Sequence, residues 1–219
     1  MTTLPPNLPH PPRTLTVVLF DGFESLDVFG PVEVFGHAPD WQINYATASA
    51  HLTPVTSAQG LTVSPTHRLS DLSRADDMDV FLTPGGPGTR ALVNDAQFLD
   101  TLTQAAAGAQ VVASVCTGSA LLARAGLLDG FRATSNKLAF AWATSQSAAV
   151  KWEGRARWVA DGNRWTASGV AAGIDMAFAL VREINGEAAA QEVAKRIEMQ
   201  PHLDADDDPF AVVHATAAN

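Results

Sequence analysis

The sequence holds a single cysteine among 219 residues. One thiol makes neither an internal disulfide nor a CxxC redox pair, and it cannot build a Cys-rich zinc site. The disulfide-stapled class of small secreted domains is excluded. Basic residues are also scarce: 14 Lys and Arg stand against 23 Asp and Glu, a formal charge of −9. That balance argues against wrapping nucleic acid or docking on an anionic membrane, because both need a cationic footprint. No apolar run approaches the ~20 residues of a membrane-spanning helix. No Lys or Arg precedes Arg13, and the N-terminal stretch lacks the hydrophobic core of a signal peptide. A cytoplasmic location is therefore expected.

What is present reads as one large domain, given about 150 residues per typical domain, with room for a core that needs no staples. Residues 1–13 contain five prolines and few large apolar side chains, so a disordered tail is expected there. At the other end, residues 201–219 read as an acidic tail, with Asp204, Asp206, Asp207 and Asp208 expected to stay solvated. The folded body is expected over residues 14–200.

That body alternates. Short apolar runs (residues 15–20, 79–83 and 110–115) suit strands buried on both faces, and Trp41–Ala48 alternates like a half-buried strand. Residues 52–65 read as a small hairpin or extended excursion. A second hairpin is expected around Asp161-Gly162-Asn163, from Ala156–Ala160 and Arg164–Ala167. Helical patterns cover 25–37, 95–107, 117–125, 136–147, 172–184 and 187–199, with Gly30-Pro31 expected to bend or interrupt the first. Strands separated by helices predict an α/β fold: a doubly wound, mostly parallel sheet sandwiched by helices. In such sheets the chemistry sits at the carboxyl ends of the strands.

Three loops qualify. Cys116 follows the apolar strand and opens the next helix, the position of a nucleophile elbow, with Gly118 and Ser119 supplying the small side chains of a tight turn. Helix N-terminal amides at such a turn favour thiolate over thiol. A buried cysteine serving as a small hydrophobe is the alternative. The loop T-P-G-G-P-G, residues 83–88, exposes amides suited to a developing negative charge, or is an ordinary turn. Beyond the first strand lie Asp21, Glu24 and Asp27. Asp27 shares its helix face with apolar positions, whereas Asp21 and Glu24 also read as a helix-capping pair. Asp175 reads as a structural acid in the first turn of a helix. Trp142, Trp152, Trp158 and Trp165 read as packing residues.

The strings L-F-D-G-F-E-S-L-D-V-F-G-P-V-E-V-F, D-V-F-L-T-P-G-G-P-G, V-V-A-S-V-C-T-G-S-A-L-L-A-R-A-G-L-L-D-G, R-A-T-S-N-K and S-G-V-A-A-G-I-D-M-A together resemble the ThiJ/PfpI superfamily. The resemblance spans about residues 14–200 and implies a flavodoxin-like, class I glutamine amidotransferase-like fold. It puts the elbow nucleophile at Cys116 and the oxyanion-loop glycines at Gly85 and Gly86. In the branch containing isonitrile hydratases, the acid of the Leu-Asp-x-x-Gly-Pro string is the thiol's partner, here Asp27; Glu24 is the alternative acid. Thr117 also matches that branch. Relatives with peptidase or glutaminase activity carry a His in a string like A-T-T-H. Here the string is Ala133-Thr134-Ser135-Asn136, and no His lies between His67 and His202. An amide is no general base near neutral pH.

The resemblance thus implies a cofactor-independent, metal-free hydratase acting on a small electrophilic substrate, with Cys116 and Asp27 catalytic. Thr117 and Asn136 would help hold the substrate, and the protein would be a homodimer. It would convert an isocyanide to an N-substituted formamide. Glyoxalase or deglycase chemistry on a 2-oxoaldehyde, with Glu24 or Asp27 as base, is the same-fold alternative. A redox or stress sensor operating through Cys116, or a ligand-binding regulatory domain, completes the set.

Overall fold

In the computed structural model, residues 12–72 and 78–211 are described. Strand β1 (Arg13–Leu19) starts at the last residue expected of the N-terminal tail, and the rest of that tail, apart from Pro12, lies outside the described residues. Leu15, Val17, Val18 and Leu19 are all fully buried, as an apolar strand covered on both faces requires. Helix α1 (Ser25–His37) then runs straight through Pro31 rather than breaking there. Proline has no N–H for the carbonyl one turn earlier, which is that of Asp27. Strand β2 (Trp41–Thr47) follows, and then the expected hairpin from β3 (Val55–Thr56) and β4 (Thr62–Val63).

Strand β5 (His67–Arg68) and helix α2 (Leu69–Leu72) carried no sequence signal. Strand β6 (Met78–Thr83) runs into the glycine loop and the short helix α3 (Thr89–Leu92). Helix α4 (Ala96–Ala106) is capped by Asp95, whose side chain accepts from the Phe98 N–H at 3.0 Å. Strand β7 (Ala109–Val115) leads through Cys116 into helix α5 (Gly118–Arg124).

The expected helix over 136–147 shrinks to α6 (Phe140–Thr144), which lies between β8 (Arg132–Ala133) and its parallel partner β9 (Lys151–Trp152). Lys137 explains the loss. Its Nζ donates to the Ala156 carbonyl at 2.7 Å and to Thr134 Oγ1 at 3.1 Å, which draws residues 134–138 into a loop. The chain closes with the hairpin β10 (Trp158–Asp161) and β11 (Arg164–Ala167), then helices α7 (Ala171–Asn185) and α8 (Glu187–Arg196).

The main sheet has the order β10-β11-β7-β6-β1-β2-β5, parallel throughout except for the β10–β11 hairpin. Helix α1 packs on α7 and α7 on α8, while α5 packs on α3 and α6. From β1 the chain goes outward to β2 and then returns to β6 on β1's other side. The order therefore reverses between β1 and β6, and the loops after those strands emerge side by side where a doubly wound sheet holds its ligands. Among the described residues no helix is long and apolar enough to cross a membrane.

The C-terminal segment departs from expectation. Asp208 is only 4% exposed, with Lys137 Nζ 3.6 Å and Arg157 Nη1 3.9 Å from its carboxylate. Asp175 is buried too. It lies beyond the first turn of α7 and accepts from Arg157 Nε at 2.8 Å and from the His202 N–H at 2.9 Å. Two cations from the body need two buried anions, so part of the expected solvated tail folds back to supply one. Replacing Asp208 by Ala leaves buried Lys137 without its carboxylate partner while Arg157 keeps Asp175, and we expect it to cost about 2 kcal/mol in urea unfolding. The exposed control Asp207→Ala should change stability by less than about 0.5 kcal/mol. Equal effects would contradict this account of the segment.

Candidate active site

Cys116 occupies the turn between β7 and α5 with φ 56°, a left-handed conformation that a non-glycine residue adopts only under constraint. The constraint is visible. Its N–H donates to the Ser168 carbonyl at 2.9 Å, and its carbonyl accepts from the hydroxyls of Ser119 and Ser135, both at 3.0 Å. Ser119 therefore does more than provide a small side chain. No local pattern in the sequence singles out Ser135 for this contact.

Asp27 approaches from α1 with none of its surface exposed. Its Oδ2 accepts from the Gly85 N–H at 2.9 Å, whereas its Oδ1 has no hydrogen-bond partner. Burial, helped by the charge of Glu24, pushes this carboxyl up to about 7 against the opposing pull of the Gly85 amide. The same causes act on the thiol. Burial, then the charges of Asp27 and Glu24, raise the Cys116 pKa, and the amide and hydroxyl of Thr117 recover only part of the shift. The expectation of a lowered cysteine pKa is thus overturned. A seven-residue helix and one threonine do not outweigh a buried site with two carboxylates. Burial and charge both favour the thiol over the thiolate, and Asp27, whose charge acts on the sulfur, is itself raised to about 7.

In this structure the amides of the glycine loop are turned to protein groups. The Gly85 amide holds Asp27, and the Gly86 amide donates to Thr117 Oγ1 at 3.1 Å. Any side chain at Gly85 would push into the Thr117 amide, 2.6 Å from an added Cβ, and Asp27 Oδ2, 2.9 Å away. Gly86, at φ 122°, adopts a backbone conformation that L side chains rarely adopt. The two glycines therefore let three segments meet, and in this arrangement both of their amides are engaged by the protein. Thr89 Oγ1 completes the knot, 3.1 Å from Thr117 Oγ1 and donating to the Gly86 carbonyl at 2.7 Å.

Glu24 does not pair with Asp21 as a cap. Its carboxylate accepts from Gln59 Nε2 at 2.8 Å on both oxygens, while Asp21 Oδ1 accepts from the Thr56 N–H at 2.8 Å. The hairpin of β3 and β4 thus clamps the loop after β1. Neither Gln59 nor Arg90 announced itself in the sequence. Arg90 stacks on Trp142, its guanidinium carbon 3.3 Å from the ring centroid.

Cys116, Thr117, Glu24, Gly86 and Asn136 line one pocket of about 660 Å³, closed on the other sides by Pro87, Arg90, Leu138, Ala139, Ala141, Trp142 and Val170. Asn136 stands where a His was looked for, and its Oδ1 is buried without a partner. Asp27 and Gly85 are not part of this lining, although the charge of Asp27 acts on the thiol. Among the described residues no group of three or more His, Cys, Asp or Glu side chains is placed to hold a metal ion.

A mostly parallel α/β sheet with a constrained cysteine at the carboxyl end of β7, the strand next to β6, defines a nucleophile-elbow protein. The chain belongs to the DJ-1/PfpI family, whose pattern it matches over residues 13–183. It is 40% identical over 190 residues to the isonitrile hydratase of Pseudomonas putida, covering 84% of this chain and 77% of that protein. It is also 28% identical to the HTH-type transcriptional regulator GbdR of Pseudomonas aeruginosa, over 89% of this chain but only 54% of the regulator. Among solved structures, a ThiJ/PfpI family protein from Pseudomonas syringae superposes with a TM-score of 0.75 at 30% identity, covering 100% of this chain and 90% of that one. Drosophila melanogaster DJ-1beta gives a TM-score of 0.74 at 23% identity, covering 86% and 99%, and shares the fold.

The raised Asp27 pKa makes the native state bind a proton more tightly than the unfolded chain between pH 3.8 and about 7. The stability this confers is complete below 3.8 and is lost as pH rises through 7. Asp27→Asn keeps the site neutral at every pH. We expect its Tm to gain on wild type progressively from pH 4 to pH 8, by several degrees at the upper end. Two Tm curves that stay parallel across that range would contradict a protonated, buried Asp27.

Proposed function

We propose that this protein is a hydro-lyase of the isonitrile hydratase kind, adding water to an isocyanide through a Cys116 thioimidate. The observation that carries the reading is the fully buried Asp27 carboxyl, raised to about 7 and with one oxygen unpartnered, whose charge acts on the elbow thiol. A group poised near neutral pH serves as base in one step and as acid in the next. The 40% identity to the Pseudomonas putida enzyme supports the same class of reaction.

The proton inventory closes. Asp27 takes the thiol proton, and the Cys116 sulfur bonds to the terminal carbon of R–N≡C. Asp27 returns that proton to the same carbon, giving the thioimidate R–N=CH–S–Cys116. Water then attacks this carbon and gives a proton to Asp27, which passes it to the nitrogen, leaving the adduct R–NH–CH(OH)–S–Cys116. As the C–S bond breaks, Asp27 takes the hydroxyl proton and hands it to the departing sulfur, so the formamide R–NH–CHO leaves and the thiol is regenerated. Thr117 stabilises the sulfur while it is anionic, through the amide and hydroxyl that already face it. Asn136 presents its amide to the nitrogen end of the substrate and bears on substrate choice. No imidazole is required, because one carboxyl carries each proton in turn.

Formamide release from a simple alkyl isocyanide, followed by NMR, tests the proposal. We expect Cys116→Ala and Asp27→Asn each to lower kcat by at least about 10³-fold, the scale of losing a nucleophile or an essential acid–base group. A Cys116→Ala protein that still releases formamide would overturn the mechanism. Lactate formation from methylglyoxal with no formamide from any isocyanide would overturn the assignment.

A further inference from the structure

Arg90 lies at the solvent-exposed rim of the Cys116 pocket and is its one cation among the described residues. Its guanidinium plate rests on the indole of Trp142, joining α3 to α6 across the opening. Among the described residues it forms no ion pair. Among the described residues the only carboxylate lining the pocket, Glu24, is held on both oxygens by Gln59 instead. A guanidinium stacked on an aromatic ring keeps its edge donors free, in the fork geometry that matches a carboxylate. Arg90 and Cys116 line the same pocket, which places the guanidinium within range of a bound substrate. Most of the remaining wall, from Pro87, Leu138, Ala139 and Val170, is apolar.

We propose that Arg90, braced on Trp142, is a specificity-determining residue that binds a carboxylate of the substrate, so that the preferred isocyanide carries an anionic group on an apolar body. The word isocyanide rests on the hydratase reading, whereas the preference for a carboxylate is a property of the pocket. Glu24 opposes an anion in the same cavity, so the preference measures Arg90 against that background. If Arg90 served only to stabilise the thiolate, charged and neutral ligands would suffer equally from its loss.

Calorimetric titration of wild type, Arg90→Gln and Arg90→Lys with N-formyl-leucine and N-formyl-leucinamide separates these cases. The two ligands share one apolar body and differ in the carboxylate. We expect wild type to bind the acid at least about tenfold more tightly than the amide, the scale of one charge-assisted contact. Arg90→Gln should bring the ratio to within about twofold of unity, leaving the amide's affinity unchanged, and Arg90→Lys should fall between. Equal binding of the two ligands by wild type, binding of neither, or an unchanged preference in Arg90→Gln would overturn the proposal. Turnover of 2-isocyano-4-methylpentanoate and its amide, run alongside, reads the hydratase chemistry separately. Carboxylate-selective binding without turnover of either would support the role of Arg90 and count against the hydratase.

Discussion

The hydrogen bond from the Gly85 N–H to Asp27 Oδ2 crosses the point where the strand order reverses, tying α1 to the loop after β6. Much of the site depends on it. It aims a fully buried carboxyl whose other oxygen is left open, and it brings the glycine loop against Thr117, whose hydroxyl is held by the next amide. One amide is too little to keep a buried carboxylate ionised, so burial dominates and the carboxyl is raised toward neutrality. A weaker grip on Asp27 would leave no ordered acid, and a stronger one would leave a fixed anion. The single donor leaves a group that exchanges protons near pH 7.

This balance also accounts for chemistry without an imidazole. In a Cys–His arrangement the ring cation favours the thiolate at rest. Here burial and the charges of Asp27 and Glu24 disfavour ionisation of the thiol, and in the proposed mechanism the sulfur becomes nucleophilic only as its proton moves to Asp27. The elbow meanwhile holds the sulfur's position. The strained φ of Cys116 is maintained by Ser119 and Ser135 on its carbonyl and by the Ser168 carbonyl on its amide. Position is thus set by contacts to the Cys116 backbone, and the proposed mechanism assigns reactivity to one shared proton.

Much of this was legible in the residues because the relevant signals are local. Uninterrupted apolar runs marked β1, β6 and β7, the Asp-Gly-Asn turn marked the β10–β11 hairpin, and a cysteine between a strand and a helix marked the elbow. What escaped was set by contacts distant in sequence. Asp208 looked like one of four tail acids until Lys137 and Arg157 were seen to need it. Gln59 is an unremarkable loop residue whose role appears only when the β3–β4 hairpin folds over Glu24. The sign of the cysteine shift was misjudged for the same reason. A helix start is visible in sequence, whereas the depth of burial and the proximity of two carboxylates are not. Gly85 and Gly86 were expected at the right place, but their amides serve Asp27 and Thr117.

The central claim is that Cys116 adds covalently to the substrate carbon while Asp27 carries the proton. Intact-protein mass spectrometry on enzyme acid-quenched during turnover of an alkyl isocyanide tests it most directly. The account predicts an adduct equal to the whole mass of the isocyanide, since no group leaves, mapped by peptide analysis to Cys116 and disappearing as substrate is exhausted. Steady formamide release with an adduct on another residue, or with unmodified protein under conditions that trap the thioimidate of a model thiol, would contradict it.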